Sequence, residues 1–244
     1  MGRELTRTEA VHDRLREDIL AGRLAPGSRL RFADLSDRYG ASMGVTREAL
    51  SRLCEHGLVV SEPQVGFRVI TLSAIDLVDL TETRCQLEGT ALAMAIEHGG
   101  LDWESNVLAA HHGLARTRIM TDAGRLSPGW VAAHSRFHGA LTDGCPNARL
   151  KALVATQRDA AEVYRHWSSS KKRDTEGEHR QLCEAALARD VAEAYRVLVE
   201  HLVETARLLL DAAPGVDAES LTRLQRIPTV TAGFVVPFGN ERSV

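Results

Sequence analysis

The chain has 244 residues, 44% of them hydrophobic, which is enough for one large domain or two small ones. Its formal net charge of -3 gives no sign that the whole molecule binds a polyanion. No apolar run reaches the ~18–20 residues of a membrane span, the N-terminus lacks a signal-peptide pattern, and no CxxC spacing occurs among Cys54, Cys85, Cys145 and Cys183. We therefore expect a cytoplasmic protein without a membrane span or a disulfide framework.

The first 70 residues predict three short helices followed by a β-hairpin. Thr6 and Glu9 have the spacing of a capping box at the start of the first helix. A Pro-Gly pair and two later glycines end the helices. Two β-rich runs, Leu58–Ser61 and Phe67–Ile70, flank a turn that contains proline and glycine. This order predicts a winged helix-turn-helix domain over residues 1–71.

From Ser73 onward the pattern is helical almost throughout. Ser73 and Asp76 are spaced to cap a long helix that runs to the Gly-Gly pair at 99–100. Five further helices are predicted at Leu101–Asp122, Pro128–Asp143, Ala148–Trp167, Thr175–Arg189 and Val191–Ala212. Short connections between about six helices predict an antiparallel bundle over residues 72–213. The pattern predicts no definite structure for the tail, residues 214–244, so the expected fold class is mainly α.

The third helix of the N-terminal domain has the residues expected of a DNA-reading helix. Such a helix enters the major groove with its N-terminal turn. Arg47 lies one turn in, where its guanidinium can bind guanine O6 and N7 together. The other candidates are short polar or small residues and further arginines on this helix, on helix two and on the hairpin: Arg31, Ser42, Gly44, Thr46, Gln64, Gly66 and Arg68.

Charge does not separate a DNA-binding domain from a protein-docking or dimerisation module, because the first 70 residues hold 11 arginines against 10 acidic residues. Sequence motifs favour DNA binding. PGSRL, TREALSRL and the following GLV, within a stretch of about 60 residues, resemble the GntR family of bacterial transcription regulators. The resemblance implies that Arg47 reads the operator. Met43 stands where the family usually has another DNA-reading arginine, so the preferred operator is expected to differ from the family's common sites.

Four histidines fall on helix faces that are predicted to point into the bundle. His134 and His138, in HSRFH, share an apolar face because residues i and i+4 lie one turn apart. His179 and His201 lie on similar faces. A divalent cation can satisfy converging imidazoles, and so can separate backbone or carboxylate partners, so the residues alone leave both possibilities open. The histidines without a shared face, expected on the surface or at helix ends, are His98, His111, His112 and His166.

The helical region resembles the FCD ligand-binding domain carried by the FadR-like subfamily of GntR regulators. The matching segments are ETRCQLEGTALAMA, HSRFHGALTDGCPNARL, GEHRQLCEAALARD and VEHLVETA. In that domain an aspartate and three histidines bind one divalent metal, which implies that the ligands here are His134, His138, His179 and His201. Because His134 replaces the usual aspartate, the implied site has only nitrogen ligands and favours Zn²⁺, or Ni²⁺, over Mn²⁺.

The resemblance also implies an effector at the metal, and a small mono- or dicarboxylate suits the open positions. Arg84 matches an arginine of the family's pocket and is expected to bind a carboxylate oxygen. The alternative is that Arg84 forms an ion pair with Glu88 on the helix surface. Tyr164 and Arg165, from another helix, are candidates to line the same cavity.

Together these features predict a homodimeric repressor that binds a palindromic operator and is controlled by a small organic acid. Two other functions remain open at this point. In a metal-sensing repressor the divalent ion itself is the signal, and in a metal-dependent hydrolase the ion activates water. No glutamate is positioned as a general base, so the protein is not expected to be an enzyme.

Overall fold

The structure, a computed structural model, describes residues 6–124, 126–166, 175–212 and 218–228. This part of the chain is mostly helical, which confirms the predicted fold class. In chain order the elements are α1 (Arg7–Leu20), β1 (Arg29–Leu30), α2 (Phe32–Tyr39), α3 (Met43–Glu55), β2 (Val59–Glu62), β3 (Gly66–Val69), α4 (Ala74–His98), α5 (Leu101–Ala115), α6 (Pro128–Asp143), α7 (Ala148–His166), α8 (Thr175–Leu187), α9 (Val191–Ala212) and α10 (Ala218–Gln225).

The chain divides into two compact units, and the first contains residues 1–77 together with 159–168. Helices α1, α2 and α3 and a three-stranded antiparallel sheet of order β1-β3-β2 form the predicted winged helix. The capping box of Thr6 and Glu9 is present at the start of α1. Strand β1 was not predicted because two residues are too few to show a β pattern.

Apolar residues at helical spacing build the core of the first unit. Leu15 and Ile19 of α1 meet Leu50 and Leu53 of α3, and all four side chains are fully buried. Burying a leucine or isoleucine side chain contributes about 1.5–3 kcal/mol, so this contact fixes α3 against α1. Val163, near the end of α7, belongs to the same core.

A buried carboxylate joins α1 to α2 in this unit. Asp18 accepts a hydrogen bond of 2.5 Å from the Tyr39 hydroxyl and also pairs with Arg23 and Arg38. Burial raises the pKa of Asp18, but the hydrogen bonds from Tyr39 and Arg23 and the charge of Arg38 outweigh it, so the net pKa lies below the usual value. Burial and the same hydrogen bond raise the pKa of Tyr39.

The second unit follows from residue 78 without 159–168, and its described residues form the helical bundle. Its core contains seven large side chains that are fully buried: Leu92, Ile96, Phe137, Leu141, Leu182, Leu198 and Leu202. Helices α6 and α9 have the predicted bounds. Helix α5 ends at Ala115, earlier than the predicted Asp122, and α8 ends at Leu187 because Arg189 adopts a left-handed conformation with φ 59°.

A glycine allows close packing between α4 and α9. Gly89 faces the ring of Tyr195, and a Cβ atom added at Gly89 would lie 2.4 Å from Tyr195 Cε2. This distance is far below van der Waals contact, so any larger residue at position 89 requires the ring or α9 to move.

Part of the C-terminal tail packs on the bundle. Helix α10 is held to α4 by Arg223, whose guanidinium donates to Asp79 (2.7 Å) and Glu82 (2.8 Å). Leu224 of α10 is buried. The rest of the predicted tail, apart from residues 218–228, lies outside the described residues. Among the helices described here, none combines the length and the apolarity needed to cross a membrane.

The substitution Asp18→Asn should lower the free energy of unfolding by about 1–3 kcal/mol at neutral pH, because its donors lose a charged acceptor. The folded-state pKa of Asp18 is depressed. Its contribution is therefore present above the unfolded pKa of ~3.9 and is lost as the pH falls through the folded-state value. Urea unfolding at neutral and acidic pH measures both effects. The control is Asp37→Asn, an exposed position on α2; equal losses in the two variants would contradict the assignment.

Candidate metal centre and DNA-reading surface

The structure brings the four inward-facing histidines together. Helix α6 supplies His134 and His138, α8 supplies His179 and α9 supplies His201. None of the four is more than 4% exposed. Their candidate ligand nitrogens all lie within 4.8 Å of one another.

Helical spacing and aromatic packing position these rings. His134 and His138 lie one turn apart on α6, with ring centroids 4.5 Å apart. The Trp130 ring, one turn before His134 on the same helix, stacks on His134 at 4.7 Å and an interplanar angle of 27°. Phe137 packs against His138 and His179 at 5.6 and 5.5 Å. Sequence reasoning missed Trp130, although its spacing of four residues from His134 was a usable signal.

A carboxylate orients one of the four rings from outside the cluster. Glu178 Oε2 lies 2.8 Å from His201 Nδ1, and His201 is 3% exposed. A carboxylate at that distance favours the tautomer with the proton on Nδ1, which leaves Nε2 as the nitrogen with the lone pair. Glu178 was also missed, because only the folding of α8 against α9 brings it to His201.

The donor set fits one divalent transition-metal ion. Nitrogens bound to Zn²⁺ at about 2.0–2.1 Å lie at most about 4.2 Å apart. The observed upper limit of 4.8 Å therefore requires only a small inward movement of the rings. Neutral imidazoles suit Zn²⁺ and Ni²⁺, and the Glu178 carboxylate provides the negative charge that the four ligands lack.

A small cavity of about 50 Å³ adjoins the histidine cluster. It is lined by His111, Leu114, Ala115, Thr117, Ile119, Trp130, Thr175, Glu176 and His179. His111 was expected on the surface, but it is half-buried here. Burial has the largest effect and lowers the pKa of His111; Arg180 and His112 lower it too, while Glu184 and Glu176 act in the opposite direction.

Arg84 lies inside the bundle and forms a buried polar cluster with three other side chains. Its Nε donates to Glu88 Oε1 at 2.7 Å, and the two residues are 6% and 1% exposed. Arg158 Nη2 donates to Thr142 Oγ1 at 2.7 Å, and Arg158 Nε lies 3.9 Å from Glu88 Oε2. The pairing of Arg84 with Glu88 thus exists, but it is buried and not on the surface.

Tyr164 and Arg165, the two remaining candidates for the effector cavity, lie on α7. Both residues belong to the first unit, whereas the histidines belong to the second. The Tyr164 hydroxyl donates to Asp76 Oδ2 at 2.5 Å and accepts from the Ser73 backbone N–H at 3.2 Å. Arg165 pairs with Glu162 at 3.6 Å. Burial and the hydrogen bond to Asp76 raise the pKa of Tyr164.

The N-terminal turn of α3 presents an exposed surface. Ser42 caps the helix by accepting from the Val45 N–H at 3.4 Å, and Gly44 and Arg47 are exposed. The Arg47 guanidinium lies 4.8 Å above the Phe32 ring, a cation–π contact that limits its rotamers. Arg31, at the start of α2, is also exposed.

The other candidates for DNA contact mainly stabilise the recognition helix and the hairpin through contacts within the domain. Thr46 is fully buried, and its hydroxyl donates to Ser42 O at 3.1 Å. Arg68 donates to Gly27 O and pairs with Glu62 at 3.1 Å. Gly66 and Gln64 take positive φ angles, 108° and 63°, at the turn between β2 and β3. These contacts shape the recognition helix and the hairpin.

Comparison of the sequence with known protein families identifies two domains that correspond to the DNA-reading region and the helical bundle. Residues 7–69 match the bacterial regulatory proteins of the gntR family, and residues 79–204 match the FCD domain. The uncharacterized HTH-type transcriptional regulator BphR of Paraburkholderia xenovorans (strain LB400) is 38% identical over 199 residues, covering 80% of this chain and 81% of that protein. The HTH-type transcriptional repressor GlaR of Escherichia coli (strain K12) is 32% identical over 208 residues, covering 82% and 94%.

A solved structure described as E. coli McbR/YncC shares the fold, with a TM-score of 0.73 and 20% identity over 85% of this chain and 99% of that one. The predicted resemblance is therefore confirmed by sequence matches to both parts and by the fold. The matching proteins are transcription regulators, in agreement with the expectation that the chain is not an enzyme. The chain belongs to the GntR family of bacterial transcription regulators and carries an FCD domain.

Proposed function

We propose that this regulator is a repressor that binds a palindromic operator as a homodimer and is released when a small carboxylate binds at a divalent metal centre in the FCD domain. The convergence of the four buried imidazoles carries this proposal. The name of the relative GlaR, a repressor, supports the direction of control. Zn²⁺ is the preferred ion and Ni²⁺ the second choice, because all four ligands are nitrogens.

The charges of the site favour an anionic effector. A divalent ion adds two positive charges to four neutral imidazoles, and Glu178 offsets only one of them. A carboxylate that completes the coordination removes the excess. Thr142 follows His138 by one helical turn, which is about 6 Å along α6. Arg158 and Arg84, in the polar cluster that contains Thr142, are therefore suited to bind a second carboxylate or hydroxyl group of the effector.

The exposed start of α3 suits a dimeric DNA reader. In helix-turn-helix dimers the two recognition helices lie about one DNA turn, or about 34 Å, apart, so a two-fold symmetric protein reads a palindrome. An effector that binds the two arrangements of such a dimer differently changes operator affinity through a coupling of about 1–3 kcal/mol.

The alternative function, a metal-sensing repressor, needs an ion that exchanges with solvent. The four histidine side chains are only 3–4% exposed, which favours an ion held as a fixed part of the structure.

Purified protein should contain about one divalent ion per chain, because four ligands can hold a single ion. His138→Ala should lose the ion, and His98→Ala, an exposed position on α4, should keep it. Glu178→Gln should weaken metal affinity by about 10- to 100-fold, since its effect comes through His201. Elemental analysis and chelator competition measure these quantities. Metal-free wild-type protein whose melting temperature ignores added Zn²⁺ would refute the centre.

Arg47→Ala should weaken binding to the operator by about 1–3 kcal/mol, the contribution of a bidentate contact with guanine. The operator is obtained by selection from random duplexes, and affinity is measured by gel shift against operator and random DNA. Arg52→Ala is the matched control, because Arg52 lies on the same helix and pairs with Glu48 at 3.1 Å. It should retain the preference for the operator. Unchanged operator affinity in Arg47→Ala would remove Arg47 from the reading surface.

Arg84→Lys should weaken the effector response by about tenfold or more, because lysine keeps the charge but loses the bidentate geometry. Operator affinity without effector should stay unchanged. A thermal-shift titration of the metal-loaded protein with acetate, succinate and malate identifies a responsive acid, and gel shift then measures release. Arg196→Lys, on the surface of α9 beside Glu193 and Glu200, is the control. Equal responses of both variants would assign Arg84 a purely structural role.

A further inference from the structure

We propose that the small cavity between α5, α6 and α8 is the route by which the divalent cation reaches the four histidines, with Glu176 and His111 binding the cation on the way. This inference rests on the metal centre proposed above. It concerns how the centre is loaded and gives the cation and the carboxylate effector separate paths.

The residues that line the cavity range from exposed to buried. Glu176 is exposed, His111 is half-buried and His179 is 3% exposed, and all three line the same cavity. Glu176 and His179 are three residues apart on α8 and therefore share a helix face. A cation held first by Glu176 thus needs to move by only about one helical turn to meet a ligand of the centre.

The size of the cavity suits an ion better than a dicarboxylate. Its volume is about 50 Å³. A buried water needs about 10–15 Å³ of such volume, so the cavity holds a cation with a few waters. A cavity that binds benzene measures about 150 Å³, and a dicarboxylate is of comparable size. A dicarboxylate effector therefore needs another approach.

The charge of the lining favours a cation. Among the described residues that line the cavity, Glu176 carries the formal negative charge and none is a lysine or an arginine. Burial lowers the pKa of His111, which keeps its imidazole neutral and able to act as a ligand. Arg180 and Glu184, elsewhere on α8, oppose each other in their effect on that imidazole. The hydroxyls of Thr117 and Thr175 add oxygen atoms that can replace water around an ion.

The arginines suited to an anion lie elsewhere in the unit. Arg84 and Arg158 belong to the polar cluster on α4 and α7, and neither residue lines this cavity. A carboxylate that approached through the cavity would meet the negative charge of Glu176. Electrostatics therefore favours different sets of residues for the approach of the cation and of the carboxylate.

The test uses full-length protein freed of metal with a chelator and mixed with Co²⁺ in a stopped-flow instrument, with the absorbance of bound Co²⁺ as the signal. Glu176→Gln should slow association of Co²⁺ by about fivefold or more, because the variant lacks the carboxylate that attracts the dipositive ion to the cavity. The equilibrium affinity should stay unchanged, since Glu176 is not one of the four ligands. Glu219→Gln removes the same charge from an exposed position on α10 and should load at the wild-type rate.

A second variant tests the route without changing charge. Ala115 lines the cavity and is exposed, so Ala115→Trp narrows the opening without disturbing the core. It should also slow loading, and final Co²⁺ occupancy should match wild type. Normal occupancy with unchanged rates in both Glu176→Gln and Ala115→Trp would overturn the route and leave the centre intact. Failure of wild-type protein to bind Co²⁺ at equilibrium would overturn the centre, and the route with it.

Discussion

Four imidazole rings packed inside one helical bundle are the constraint on which the second unit depends. They come from α6, α8 and α9, so the rotation and height of three helices must agree before the nitrogens meet within 4.8 Å. A shift of one residue along any of these helices turns its side chains by about 100° and removes a ligand from the group. Buried polar groups are costly unless they are satisfied, and one divalent ion could satisfy all four imidazoles.

The residues proposed to bind metal and effector lie in the second unit, and those proposed to read DNA lie in the first. In the second unit, Glu178 pairs with His201 of the candidate metal centre, and Arg84 pairs with Glu88 in the polar cluster. In the first unit, the Arg47 guanidinium packs on the Phe32 ring, and the Thr46 hydroxyl donates to the Ser42 carbonyl at the start of α3. Each of these candidate site residues is thus held by a neighbouring side chain or backbone group.

Most of the fold was predictable because periodicity and helix-ending residues are local. The bounds of α6 and α9 follow from them, and so does the pairing of His134 with His138. Features that depend on tertiary packing were not predictable. Glu178 meets His201 across two helices, and His111 becomes half-buried only when α5 packs on the bundle. The sequence pattern of α7 also does not show that Tyr164 and Arg165 belong to the first unit, whereas the histidines belong to the second.

Gly89 has no side chain, yet it influences where α9 places His201, one of the four candidate metal ligands. Tyr195, whose ring it faces, lies six residues before His201 on α9, which is about 9 Å along the helix axis. A methyl group at position 89 would push against that ring, and any displacement of α9 would carry His201 with it. Coordination bonds tolerate errors of only about 0.2 Å, far less than hydrophobic contacts do. The absence of a side chain at Gly89 therefore helps to set the position of His201, although α4 itself supplies none of the four histidines.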